Sequence, residues 1–295
     1  MKNRDRKSKS QNPDFGSIYI VSTPIGNLED ITLRALKILK NVDLIAAENT
    51  RHTRGFCSHY GIKTRLISYN QHNRKSRGPE LIKKLKKGSD IALVTNAGTP
   101  AVSDPGALLV NMALEHDIRV SPIPGPSAAI AALSVCGLRV DRFLFLGFLS
   151  SRPKKRKKEI KELTQEQRTM VFYEAPHRIK AMLTDLNELL GDRHVVILRE
   201  LTKVYEEVKR GRVSLILKEL EDPMIKGEFT IVVAGRGKKE DDDSLSNNTK
   251  DMIKKLLQKN NMGVKEAATQ LSQKFGLNYR AIYREGLIIK KEMER

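Results

Sequence analysis

The chain has 295 residues, 39% of them hydrophobic, which is enough to bury the cores of two ordinary domains. Its formal net charge of +19 says nothing about fold but points to a polyanionic partner, most simply nucleic acid. Two cysteines, Cys57 and Cys136, exclude a disulfide framework and fit a reducing compartment. No apolar run reaches the roughly 18 residues of a membrane span, and no signal-like apolar stretch follows the basic Met1–Ser10. The expectation is a soluble cytoplasmic protein.

Residues 1–16 are polar and basic and read as a disordered tail. From Ser17, short β-branched runs alternate with amphipathic segments. Ile18–Val21 reads as a buried strand. Ile31–Val42 has apolar positions at helical spacing, with Asp30 as the expected N-cap. Strands are predicted at Leu44–Ala47, Ile67–Tyr69, Ile91–Thr95 and Arg119–Ile123, and helices at Pro79–Lys87, ended by Gly88, and at Leu108–His116. Such alternation implies an α/β domain, residues 17–124, with a largely parallel sheet.

Pro124-Gly125-Pro126 breaks the pattern, and a second α/β series occupies 125–237. Its helices are predicted at Ser127–Val135, Lys154–Gln165, Arg178–Leu190 and Val213–Leu220. Its strands are predicted at Phe143–Leu149, Thr169–Tyr173, Val195–Leu198 and Phe229–Ala234. Residues 238–248 have no apolar face and read as a linker. Residues 249–295 carry three short helical patterns. Val264–Phe275 and Tyr279–Ile289, joined at Gly276, have the spacing of a helix-turn-helix; a helical dimerisation module fits equally well.

Four Gly/Pro loops sit where strands should end: Ser22–Asn27, Asn96–Gly106, Pro124–Ala128 and Tyr173–His177. Ligands of open α/β sheets bind outside the carboxyl ends of strands, so the loops together predict a ligand held largely by main chain. No phosphate-loop motif is present. Gly235-Arg236-Gly237 lacks the third glycine and the helix of a dinucleotide fingerprint. His52, Cys57 and His59 lack a fourth ligand and zinc spacing, so no metal is expected. Polar clusters also fall at strand ends: Glu48–Arg54, Glu174 with His177 and Arg178, and Arg199–Lys203. Their carboxylates and cations suit one cleft, where Arg and Lys would position phosphates without reading bases.

Taken in order, these loops resemble the small-subunit ribosomal RNA methyltransferases of the tetrapyrrole methylase superfamily, from about Gly16 to Gly235. The resemblance rests on Thr23–Leu28, Ala46–Thr53, Ala97–Pro100, Asp104–Gly106, Pro124–Pro126, Phe172–Glu174, His177-Arg178, Arg199–Lys203 and Gly227-Glu228. It implies two α/β domains with S-adenosylmethionine (SAM) in the cleft between them, plus a small C-terminal helical domain. It further implies a homodimer that 2′-O-methylates a cytidine ribose in the decoding region of 16S rRNA in the small ribosomal subunit. By motif position, Pro24, Asn96, Ala97, Gly98, Ala101, Ser127 and Ala128 would lie against SAM, with Tyr173 and Glu174 closing the pocket. Asn49 and Asn96 depart from the family pattern, which commonly has Asp at both positions. Asn keeps the shape and an acceptor oxygen but loses basicity.

A ribose hydroxyl must lose a proton as it takes a methyl group, so positioning and a modest base are required. Candidate bases are Glu48, Glu174 and Glu200; Arg51, His177, Arg178, Arg199 and Lys203 are candidates for positioning the RNA. The competing readings are a tetrapyrrole C-methyltransferase of the same fold and a non-catalytic ribosome-assembly factor on this scaffold.

Overall fold

The computed structural model describes residues 14–220, 226–236, 247–259, 262–275 and 279–293. They form two compact units, one ending at Gly235 and the other running from Arg236. Both sheets belong to the first unit. The stretch read as a linker, and the Gly276 joint, fall almost wholly outside the described residues.

The first sheet holds β1 (Ile18–Val21), β2 (Leu44–Ala47), β3 (Leu66–Ser68), β4 (Ile91–Val94) and β5 (Val120–Ile123) in the order β3-β2-β4-β1-β5, all parallel. Its central strands read as unbroken apolar runs because both faces are covered. Leu44, Ala46, Ile91 and Leu93 pack on α3 (Arg74–Leu85) and α4 (Ala107–Glu115). The alternate residues Ile45, Ala47, Ala92 and Val94 pack against α1 (Leu33–Asn41) and Cys57 of α2 (Thr50–His59).

Two helix starts differ from the sequence reading. Asp30 is not the cap of α1: it lies in a 3-10 turn, Leu28–Asp30, and Thr32 caps the helix by accepting the Ala35 N–H at 3.1 Å. Helix α3 begins five residues before Pro79. The chain turns at Asn70–Asn73 and runs through Pro79, which lies inside the helix and has no N–H to bond the carbonyl one turn earlier.

The second sheet is less parallel than the βα alternation suggested. It holds β6 (Phe143–Phe148), β7 (Thr169–Glu174), β8 (His194–Arg199), β9 (Glu207–Arg212) and β10 (Phe229–Val233) in the order β6-β7-β10-β8-β9. Only β6 and β7 are parallel; β10 runs antiparallel between β7 and β8, and β9 antiparallel to β8. The reversal places Phe229, the first residue of β10, beside both Glu174 and Arg199, the last residues of its neighbours. Residues from a strand's start thereby reach the same edge as two strand ends.

One face of this sheet packs on α6 (Pro153–Glu162), α7 (Ile179–Leu190) and α8 (Val213–Glu219). Arg156 of α6 and Asp185 of α7 form a buried ion pair there at 2.7 Å. The other face packs on α5 (Ala128–Val135), whose Ala129 and Ala132 allow close approach to Val171, Val196 and Val232. The second unit is the three-helix cluster α9 (Asn247–Lys259), α10 (Val264–Phe275) and α11 (Tyr279–Met293), with Ala267, Ala268, Leu271 and Ile282 buried in its core.

Candidate active site

The carboxyl edge of the first sheet is tied together by main chain. Thr23 and Gly98 exchange backbone hydrogen bonds at 2.9 and 3.0 Å, joining the loops after β1 and β4. Gly98 has φ +73, a conformation glycine adopts without the Cβ penalty. The Asn96 N–H donates to Glu48 Oε2 at 3.1 Å, and His52 Nε2 meets the Asn96 carbonyl at 3.1 Å. Because a carbonyl only accepts, Nε2 carries the proton in that contact.

Asn49 caps α2: its Oδ1 accepts the N–H groups of Arg51 and His52 at 3.0 and 3.2 Å. An Asp oxygen would accept the same bonds, so the change leaves the local structure intact. Asn49→Ala is expected to cost about 0.5–2 kcal/mol in chemical denaturation, and Asn49→Asp to cost nothing measurable.

Two adjoining cavities open at this edge, sharing Ile25, Asn96, Ala97 and Glu228 in their walls. The first, of about 470 Å³, lies between the loops after β2, β4 and β5 and the edge of the second sheet. Its walls combine Asn96, Ala97, Gly98, Ser127, Ala128 and Tyr173 with apolar Val102, Leu198 and Leu201. Glu48, Asp104, Glu174 and Glu228 line it too, and no Lys, Arg or His does so among the described residues. Asp104 is the perturbed group: burial, and then the neighbouring Glu48 charge, push its carboxyl up to about 6. Burial also pushes up the Tyr173 phenol, whose oxygen accepts the Ala129 N–H at 3.2 Å.

The second cavity, of about 450 Å³, is lined by Pro24, Ile25, Gly26, Leu28, His52, Gly55, Phe56, Asn96 and Lys203. Gly26 is required at its rim, since a Cβ there would sit 2.5 Å from Lys203 Cγ and 2.8 Å from the Leu201 carbonyl oxygen.

A family model for tetrapyrrole (corrin/porphyrin) methylases matches residues 17–216. The chain belongs to the tetrapyrrole methylase family. Among curated relatives it is 46% identical over 240 residues to ribosomal RNA small subunit methyltransferase I of Bacillus subtilis, covering 81% of this chain and 82% of that protein. It is 42% identical over 287 residues to the protein of the same name from Escherichia coli O157:H7, covering 96% and 98%. Among solved structures, a uroporphyrin-III C-methyltransferase from Thermus thermophilus complexed with S-adenosyl homocysteine superposes with a TM-score of 0.55 at 17% identity, covering 76% and 98%. A diphthine synthase superposes with a TM-score of 0.57 at 18% identity, covering 74% and 90%. At those identities the likeness speaks for the fold alone.

Within this tetrapyrrole methylase the residues singled out from sequence separate by position. Asn96, Ala97, Gly98, Ser127, Ala128, Tyr173, Glu174 and Glu48 meet at the first cavity, Pro24 and Lys203 at the second. Ala101 lines neither; it sits at φ +70, packed under the turn at Gly106. Glu174 is 2% exposed, and both its oxygens are engaged by Arg178 at 3.0 Å. Arg178 also donates to the Leu149 carbonyl at 2.7 Å, so this pair is built into the wall.

Glu200 is tied as well. Burial works against its charge, but Lys203 at 2.9 Å and the Glu228 N–H at 2.8 Å outweigh it and hold the carboxyl below its ordinary value. Arg199 shares a strand face with Ile197, away from Leu198 and the first cavity. It donates to the Lys226 carbonyl at 2.7 Å and lines a separate cavity of about 120 Å³. Arg51 and His177 are exposed. Asp104 escaped the sequence reading because Ser103-Asp104-Pro105-Gly106 reads as a turn, and its desolvation appears only when the second sheet is in place.

Proposed function

We propose that this protein transfers the methyl group of SAM to a ribose 2′-hydroxyl of cytidine in 16S rRNA within the small ribosomal subunit. The observation that carries the reading is the acidic first cavity sharing a wall with a second one, in a chain 42% identical to its enterobacterial rRNA methyltransferase relative across almost its whole length. SAM supplies an electrophilic methyl on a sulfonium cation, with a good leaving group.

The first cavity fits such a donor chemically. Glu48, Asp104 and Glu228 offer negative charge to a cation, the Asn96–Thr99 backbone offers polar groups, and Val102, Leu198 and Leu201 offer apolar surface. What remains for the protein is to align a poor nucleophile and take its proton. Asp104 serves best as the proton acceptor. Glu174 is locked to Arg178, Glu200 is held at low basicity by Lys203, and Glu48 has one oxygen occupied in fixing the Asn96 turn. Asp104, with its carboxyl raised to about 6, is both ionised and basic at neutral pH. Arg51, His177 and Lys203 remain as candidates for contacting the RNA backbone.

The deciding experiment is transfer of labelled methyl from SAM to undermethylated small subunits, with naked rRNA and a tetrapyrrole precursor in parallel. Label at one alkali-resistant ribose linkage is the expected result. Label on the tetrapyrrole alone would overturn the reading. RNA binding should weaken steeply with salt, given the net charge of +19.

A further inference from the structure

The two cavities differ in charge. The first is lined by four carboxylates and, among the described residues, no Lys, Arg or His; the second has the single carboxylate Glu228, which Lys203 pairs at 3.0 Å, beside the His52 imidazole. Helix α2, which forms one wall of the second cavity, also carries exposed Arg51 and Arg54, neither of them in an ion pair among the described residues. Pro24, Ile25, Leu28 and Phe56 give it an apolar stretch of wall that suits the face of a base.

Beside it stands a tip with no packing role. Val204 is 94% exposed and Tyr205 83%, immediately after Lys203. The loop that presents them is tightly held. Thr202 N–H donates to Glu206 Oε2 at 2.6 Å, Lys203 N–H to the Glu200 carbonyl at 2.9 Å, and Glu206 N–H to the Lys203 carbonyl at 3.1 Å. Thr202 Oγ1 accepts the Asn27 N–H at 3.0 Å, which braces the loop against the one after β1. Glu200 and Thr202 adopt φ +52 and +63, left-handed conformations that cost non-glycine residues free energy and persist where the surroundings impose them. An aromatic tip held in water, in a chain of charge +19, is a surface for single-stranded nucleic acid, whose bases stack on aromatic rings.

We infer that the second cavity receives the base of the acceptor nucleotide, with its ribose reaching past the shared wall toward the first cavity and Asp104, and that Tyr205, at the tip beside it, stacks on an unpaired base of the same RNA. This rests on the methyl-transfer reading above and adds where the acceptor binds. Tyr205 acts in binding, so it should govern the KM for small subunits while leaving the chemical step alone.

The test compares Tyr205→Ala, Tyr205→Phe and Leu28→Ala with the wild type. It reads steady-state transfer to undermethylated small subunits, SAM affinity by calorimetry, Tm, and sedimentation. Tyr205→Ala is expected to raise the KM for subunits about tenfold, with kcat at saturation, SAM affinity and Tm unchanged, because the ring touches little of the fold. Tyr205→Phe keeps the stacking face and should restore most of the affinity. Leu28→Ala, which lines the second cavity and not the first, should raise the same KM and spare SAM affinity. Loss of SAM affinity with an unchanged KM in Leu28→Ala would reverse the assignment of the cavities and overturn the inference. A wild-type KM in Tyr205→Ala would overturn it while leaving the rRNA reading in place. So would dissociation into smaller species without a KM change, which would make the tip a self-association surface. A wild-type protein that neither methylates nor binds small subunits would overturn both.

Discussion

Asp104→Asn is expected to lower kcat by about 100-fold or more while raising Tm at pH 8. Both effects come from one environment. Burial and the nearby Glu48 charge disfavour the Asp104 carboxylate and push its carboxyl up to about 6 from an ordinary value of 3.8. A carboxyl raised on folding contributes stability that is fully present below 3.8 and lost as pH rises through about 6. Asn carries no such penalty, so the Tm difference between variant and wild type should be smallest below pH 3.8, grow between 3.8 and about 6, and be fully open by pH 7.

Activity should run the other way. Wild-type kcat/KM should rise with pH through about 6 as the free enzyme's carboxylate forms. The corresponding limb in kcat should lie at lower pH, because a bound cationic donor favours ionisation. Thermal melts and pH–rate profiles of D104N check both halves. An unchanged kcat with the same acid limb would remove Asp104 from the reaction, and Glu48 would be the next carboxylate to replace.

The fold was legible where one face of each element is apolar, and less so elsewhere. Strands β1, β2, β4 and β5 lie within one residue of their predicted bounds because residues such as Leu44–Ala47 are buried on both faces and read as unbroken apolar runs. Helix α2 escaped notice because only Thr53 and Cys57 are buried along Thr50–His59, and Gly55 interrupts the middle. The polar cluster Glu48–Arg54 was recognised as site material, yet its shape as a capped helix was not. Strand β9 escaped for a related reason. Glu207–Arg212 offers one apolar residue, Val208, because it is an edge strand whose charged side chains face water. The antiparallel run of β10 is set by register across the sheet, which one-dimensional periodicity does not carry.

The candidate site divides along the same line. The loop Asn96–Gly98 was readable as a strand-end turn from its glycine, and it lines the first cavity. The roles of charged residues were not readable, because Glu174, Glu200, Arg178 and Arg199 differ only in what the fold places beside them.

The Glu174–Arg178 pair carries the largest expected effect on stability. With Glu174 2% exposed, Arg178→Ala would leave its carboxylate buried with one remaining donor, the Ala175 N–H at 2.8 Å. Removing one partner of a buried ion pair costs about 3–5 kcal/mol, because the other charge stays desolvated. The Leu149 carbonyl would lose its 2.7 Å donor as well, loosening the end of β6 against the turn after β7. Arg178→Ala should therefore lower the urea midpoint sharply, and the double variant Glu174→Leu/Arg178→Met should recover much of the loss by removing both charges together.

The same variants separate the structural role from RNA contact. A side chain that neutralises a phosphate contributes close to one unit to the slope of log affinity against log salt. Arg51→Ala, at an exposed position, is expected to reduce that slope by about one unit with little change in stability. Arg178→Ala, measured below its own unfolding range, should leave the slope where it was. A reduced slope with an unchanged urea midpoint would instead return Arg178 to the RNA-binding surface. The side chain at 178 would then have to leave Glu174 in the complex, and the wall of the first cavity would move when RNA binds.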